Sequence, residues 1–529
     1  MSTHKRSNPL TIIPGLAGPA RLSWLDALGI TALTVLLLIL SYQQSRHRMF
    51  WGDEIMGDLV LNAGSWHAFL ERWRAGIDSS GFWFYVFAKP WEWTFGRSEV
   101  SLRMFSASGI CVAAGLLWAM ARRYYSFAVV AAMVAVVFLD INVLRWQLAN
   151  GRCYGVLMAA SALMLFLIFQ SQQDTRTTPG IPFLLATVLS YDMLAGSHIL
   201  GVLYAGALLA MQIGLDLYAR RRRLALYAAA AVGIAAIIPF SLANIRSTTA
   251  LGKPTYWTLR PTHRDLLLNS AFTVSPVRDM LVALFLVTLL YLRRRPTRTP
   301  VYLVLFGFLL LDLAFFTISV VGTSIYVDRY LLPFVFALVL LGAELLTQLR
   351  EADAPYPRLR ASAPLLILLW GLHLMAPVGF YQFPEKDYTT PLLARLPPGL
   401  PVVDTDTGSF VEIEFYHHDH FKQPFFFPLD PGVAADPRNP GGVSGFHEMD
   451  NFARLGLDMP DLQPTDAILS RYPELLLITG KSPTAWIRKR LVEEGHYEVT
   501  DLGTLPKLEA LHLWRARRTD LPAVSTTLR

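Results

Sequence analysis

The sequence predicts a polytopic α-helical membrane protein with a small α/β domain at its C-terminal end. Three observations carry this reading. Of 529 residues, 53% are hydrophobic and only 16% are charged, with a mean hydropathy of +0.38, too apolar for an ordinary soluble globule. Apolar runs long enough to cross a hydrocarbon core of ~30 Å recur from Trp24 to Phe380. Arginine clusters then follow alternate runs.

Hydropathy gives about eleven expected spans, over residues 24–42, 100–120, 127–143, 154–169, 181–195, 199–217, 224–242, 277–292, 301–321, 330–346 and 364–380. The run over 181–195 is short, so it must tilt, thin the bilayer or re-enter. Lys5, Arg6 and Arg21 precede the first span, and Arg122 and Arg123 follow the second. Arg220 to Arg223, Arg293 to Arg295 with Arg298, and Arg350 with Arg358 and Arg360 follow alternate later spans. With an odd number of spans these clusters share one side, the cytoplasmic one, and the C-terminus falls on the other. The net charge of +7 is therefore a topology signal, and nucleic acid is not an expected partner. The charged start leads into a span-length run without a small-residue cleavage site, so leader and anchor are expected to be one segment. Cys111 and Cys153, the two cysteines, predict neither a disulfide framework nor a zinc cluster nor a redox motif.

The expected domains are a transmembrane unit over 1–381, including an outer loop at 45–99, and an α/β domain over 382–529. In the loop, Trp66, Phe69, Leu70 and Trp73 follow helical spacing with Glu71, Arg72 and Arg74 on other faces, the pattern of a helix lying in the interface plane. Residues 81–96 are crowded with Phe, Tyr and Trp, which settle at headgroup depth. In the tail, strand-like runs occur at 400–403, 474–479 and 508–514 between polar and proline-rich stretches.

With this topology, the uncommon polar residues near span ends fall on the outer face: Asp53, Glu54, Asp58, Arg97, Arg103, Arg152, Tyr154, His198, Lys253, Arg329 and Tyr330. Opposed acids and bases at one depth suit a site that deprotonates an alcohol and holds an anionic leaving group. A polyprenyl-phosphate sugar offers such a leaving group at the interface. Displacement at its anomeric carbon passes through an oxocarbenium-like state, for which a carboxylate base and cationic phosphate clamps are the expected parts.

At these residues the chain resembles the membrane glycosyltransferases of the GT-C superfamily, in the branch of protein O-mannosyltransferases and lipid A aminoarabinose transferases. The resemblance spans roughly the first two thirds of the chain. It rests on Trp51-Gly52-Asp53-Glu54, the segment 81–96 leading into Ser98-Glu99-Val100-Ser101-Leu102-Arg103, Gly151-Arg152-Cys153-Tyr154, Ser197-His198 and Asp328-Arg329-Tyr330-Leu331-Leu332-Pro333. It implies a GT-C-like fold in a bacterial inner membrane, a periplasmic C-terminal domain, and transfer from a polyprenyl-phosphate donor with inversion. It also implies Asp53 as catalytic base, with Glu54 as a metal ligand or hydrogen-bond partner. Arg103, Arg152, His198 and Arg329 become candidates for the donor phosphate, and Tyr154 and Tyr330 for positioning. The implied partners are membrane lipids, the donor, and a glycan, lipid or protein acceptor. Metal dependence stays open, since some relatives use a divalent ion and others do not. Phe82, Asn150-Gly151 and Ile199 depart from the family's usual pattern.

Plainer readings compete. Asp53 and Glu54 also suit an acidic turn capping an interfacial helix, Arg103 and Arg152 suit snorkelling span ends, and Arg329 suits an interface anchor. His198 also suits a tight hairpin with Gly196 and Ser197. Asp312, near the middle of its run, would suit a flippase for lipid-linked sugars or a proton-coupled transporter, against a hydrogen bond to a neighbouring helix. His417, His418, Asp419 and His420 resemble a metal cluster by composition, although adjacent residues rarely converge on one ion without turns, which favours a polar surface loop.

Overall fold

The structure, a computed structural model, describes residues 22–173, 179–251, 260–266, 282, 299–322, 324–351, 357–375, 389–418, 423–434, 440–457, 461–480, 485–505 and 511–520. The expected span over 277–292 lies almost wholly outside the described residues, as do Lys253, Asp419 and His420. In chain order the helices are α1 (Trp24–Ser45), α2 (Gly52–Leu61), α3 (Trp66–Arg74), α4 (Phe82–Phe95), α5 (Glu99–Ala121), α6 (Phe127–Asp140), α7 (Asn142–Leu148), α8 (Tyr154–Gln173), α9 (Ile181–Ala195), α10 (Gly201–Tyr218), α11 (Leu224–Leu251), α12 (Thr299–Val321), α13 (Val335–Glu351) and α14 (Pro357–Met375). The C-terminal part adds α15 (Thr407–His417), α16 (Pro440–Arg454) and α17 (Thr465–Arg471). The chain divides into two compact units, one of Met1–Arg46, Ser80–Leu242 and Arg260–Gln382, the other of His47–Ser79, Ala243–Leu259 and Phe383–Arg529.

The first unit is a helical bundle. Among the described residues, seven helices are long and apolar enough to cross a membrane, and α6 with α7 makes an eighth if that bent pair is one span. The sequence reads 127–143 as one span, but the pair bends by 72° at Ile141, whose backbone is extended between Asp140 and Asn142. The short α9 and the stretch Ala361–Gly371 are apolar helices below spanning length. The expected count of about eleven is thus matched element by element only in part.

Small residues let the bundle close. At the α5–α8 crossing, a Cβ on Gly155 would lie 1.9 Å from the Ser106 carbonyl oxygen, and one on Gly109 would lie 2.4 Å from the Gly155 backbone. Only glycine permits that approach, the small-residue packing common between membrane helices. The start of α1 is fixed by a reciprocal cap between Ser23 and Asp26, and Asp26 also receives Arg122 Nε at 2.5 Å and Trp118 Nε1 at 3.1 Å. Buried Asp216 pairs with buried Arg223 at 2.8 Å.

The second unit is α/β. Its strands are β1 (Val402–Asp404), β2 (Phe425–Leu429), β3 (Leu462–Pro464), β4 (Glu474–Thr479), β5 (Tyr497–Thr504) and β6 (His512–Arg518), in the order β3-β2-β1-β4-β6-β5. β3, β2, β1 and β4 pair in parallel, and β4, β6 and β5 antiparallel. Helix α15 follows β1, α16 follows β2 and α17 follows β3, the alternation that builds a parallel sheet. Val403, Leu475, Leu477, Ile487 and Leu491 lie in the buried core. The predicted runs at 400–403 and 474–479 correspond to β1 and β4, and the run at 508–514 overlaps β6. The predicted loop helix is α3, which buries Phe69 and Trp73 and stacks Trp66 on Phe69 at 4.9 Å. The aromatic segment forms α4.

Candidate functional site

Several candidate residues of the bundle converge. Gly155 holds α8 against α5, and Ser106 Oγ donates to the Arg152 carbonyl at 2.9 Å, fixing the turn that presents Arg152 and Tyr154. Tyr154 lies 5.7 Å from the His198 ring, centroid to centroid, and Tyr330 lies 5.1 Å from it. Tyr204 Oη donates to the Tyr330 carbonyl at 2.6 Å, and the Arg329 guanidinium sits 5.7 Å from the Tyr330 ring. Tyr330 belongs to a short 3₁₀ helix, Asp328–Phe334, ahead of α13. The sequence thus brings Arg152, Tyr154, His198, Arg329 and Tyr330 to one place in this unit.

His198 occupies a tight connection between α9 and α10. Ser80 and His198 form an isolated antiparallel bridge, and the Trp83 amide donates to the Gly196 carbonyl at 3.1 Å. A Cβ on Gly81 would meet the Gly196 oxygen at 2.2 Å, so glycine is required for this approach. The hairpin reading of His198 and the site reading therefore describe the same residue. The ring is buried, and Nδ1 accepts the Leu200 amide at 3.0 Å, which leaves the proton on Nε2. Burial, with Arg152 and Arg329 nearby, pushes the imidazole down to about 3, so it is neutral at physiological pH. Its buried Nε2 has no hydrogen-bond partner among the described residues. The result is a neutral N–H donor beside two guanidinium groups, in a wall of tyrosines, an arrangement suited to an anionic ligand.

Asp53 and Glu54 belong to the second unit, at the start of α2. Glu54 is wholly buried and its carboxylate turns back to the Trp51 amide at 3.3 Å as a helix cap, whereas Asp53 is half-buried. Of the two, Asp53 is the more accessible carboxylate. Two residues of α15 brace this start: Glu412 Oε1 accepts the Gly52 amide at 2.9 Å, and Tyr416 Oη accepts the Phe50 amide at 2.7 Å. Burial and the neighbouring Glu54 push Glu412 up to about 8, opposed by the Gly52 hydrogen bond and Arg48. Sequence reading missed Glu412 and Tyr416, which lie in a helix that it left unassigned; only the spacing of Phe410, Ile413 and the acids hinted at α15.

Arg103 is fully buried on α5 and donates to the Ser45 carbonyl at 3.2 Å, a tie to the C-terminal end of α1. Asp312 accepts from Tyr326 Oη at 2.7 Å, in the loop that follows its own helix. The three-residue group of potential metal-ligating side chains found among the described residues is Glu414, His418 and Asp461, and neither Asp53 nor Glu54 belongs to it.

The sequence matches no family model and no curated protein. Its structure does have solved counterparts. The crystal structure of ArnT from Cupriavidus metallidurans in the apo state superposes with a TM-score of 0.57 at 12% identity, over 92% of this chain and 98% of that one. Its fold is that of ArnT. ArnT from the same organism bound to undecaprenyl phosphate superposes with a TM-score of 0.52 at 11% identity, over 94% of this chain and 98% of that one. The shared fold thus takes in both the long apolar helices and the C-terminal sheet.

Proposed function

We propose that the chain is an inverting glycosyltransferase of a bacterial inner membrane. It transfers a sugar from a polyprenyl-phosphate donor to an envelope acceptor on the periplasmic side, where the C-terminal domain also lies. The observation that carries this reading is His198, a buried neutral donor flanked by Arg152 and Arg329. The bound undecaprenyl phosphate of the ArnT counterpart supports a donor of that class.

In this mechanism the acceptor hydroxyl oxygen attacks the anomeric carbon while Asp53 takes the hydroxyl proton. The bond from that carbon to the phosphate oxygen breaks, and its electron pair leaves on the phosphate. Arg152, Arg329 and the His198 Nε2–H hold the leaving phosphate, with Tyr154 and Tyr330 positioning the lipid-linked sugar. Glu54 keeps the Asp53 helix capped. Arg103 shapes the bundle through Ser45. A glycan, lipid or protein hydroxyl would serve as acceptor.

The test is donor binding in Arg329→Ala and Arg152→Ala. Polyprenyl phosphate affinity should fall at least tenfold in each, with folding unchanged; unaltered affinity in both would remove the phosphate assignment.

A further inference from the structure

Outside the residues assigned to transfer, the second unit holds a cluster of unlike metal-binding groups. Glu414 and His418 stand one helical turn apart at the end of α15, and Asp461 comes from the segment entering β3. One ligand atom from each lies within 4.8 Å of the other two. His418 Nδ1 is 3.0 Å from Glu414 Oε1 and 3.7 Å from Asp461 Oδ2. Donors at ~2.1 Å from a first-row divalent ion lie ~3–4 Å from each other, and both His418 distances fall in that range.

A second observation separates the cluster from ordinary surface ion pairs. Glu414 is only 5% exposed, and neither of its buried carboxylate oxygens has a well-formed hydrogen bond among the described residues, His418 Nδ1 approaching Oε1 at 3.0 Å. A buried carboxylate without donors is costly unless a cation meets it.

We propose that Glu414, His418 and Asp461 bind a divalent transition ion of the zinc class, with water in the remaining positions. One imidazole and two carboxylates suit zinc or manganese better than calcium or magnesium, which favour all-oxygen shells. The exposed edge at His418, 45% accessible in its side chain, gives the ion a way in. The ion would clip the end of α15 to the start of β3. Helix α15 also carries Glu412 and Tyr416, which hold the backbone of Gly52 and Phe50, so the clip would stiffen the support of α2 within this unit. The site is separate in its residues from any ion at Asp53 or Glu54.

Purified full-length protein in detergent, stripped with a chelator and dialysed against zinc, tests this. Bound zinc is read by elemental analysis and the apparent melting temperature by a thermal scan. One zinc equivalent should be retained by wild type and by Asp53→Asn, and lost in Glu414→Gln and His418→Gln. Zinc should raise the wild-type melting temperature by roughly 5 °C or more, but not that of the two variants. His418 is exposed, so His418→Gln should fold as wild type does without metal even if the buried substitution does not. Zinc content equal to wild type in His418→Gln, or no zinc retained by wild type, would overturn the assignment.

Discussion

Glu412 accepts the amide hydrogen of Gly52 at 2.9 Å, so a helix of the C-terminal domain finishes the N-terminus of the helix that carries Asp53. The chain positions joined here are far apart in sequence, and the contact explains why a segment after the first span folds with the tail as one unit.

That contact has a pH signature. Glu412 is raised from 4.5 to about 8 in the folded protein, so the folded state holds a proton that the unfolded chain has released through this window. Stability from this group is full below about pH 4.5 and lost as pH rises toward 8. Thermal scans of wild type and Glu412→Gln at one scan rate should converge near pH 5 and separate above it, the variant showing the flatter profile. Parallel profiles across pH 5 to 8 would contradict the buried proton.

His198 is expected to act as a neutral donor. His198→Ala should weaken binding of polyprenyl phosphate by roughly tenfold to a hundredfold, the worth of one hydrogen bond to a charged group. Because its imidazole lies at about 3, affinity should show no step near pH 6.5 that the alanine variant abolishes. Such a step, measured by calorimetric titration, would mean that His198 binds as a cation.

Gly155 is expected to be irreplaceable. Gly155→Ala drives a methyl against the Ser106 backbone, where a Cβ would sit 1.9 Å from the oxygen, and should cost about 3 kcal/mol with a fall of several degrees in apparent melting temperature. Gly115→Ala, on the facing helix α5, is the control, since its Cβ would meet Ile30 at an ordinary 3.5 Å. Equal melting behaviour in the two variants would contradict the close α5–α8 crossing.

The membrane fold was legible because bilayer length and arginine placement write themselves locally into the chain. The break at Ile141 was not, since Phe127 to Asp140 and Asn142 to Leu148 are both apolar enough to read as one run. In the tail, β4 was readable as Leu475 to Ile478, a buried apolar strand, while β2 is brief and contains Pro428, and β5 exposes much of its length. Of the site, His198 and Tyr330 stood out as polar residues at span ends, yet their convergence depends on Gly81 and Gly155, whose role appears only when helices touch. Glu414, His418 and Asp461 come together through the sheet order that sets β3 beside β2, which no local spacing encodes. The composition of His417 to His420 pointed to the neighbourhood: His418 meets Glu414 and Asp461, while Asp419 and His420 lie outside the described residues.

The most direct test of the transferase reading is release of polyprenyl phosphate from a panel of radiolabelled polyprenyl-phosphate sugars, by purified wild type and Asp53→Asn with mixed envelope acceptors. Wild type should turn over at least one donor, and Asp53→Asn should lose at least a hundredfold in rate while keeping its melting temperature, as expected for a general base. Full turnover by Asp53→Asn would contradict Asp53 as the base, and absence of turnover by folded wild type across the panel would contradict glycosyl transfer itself.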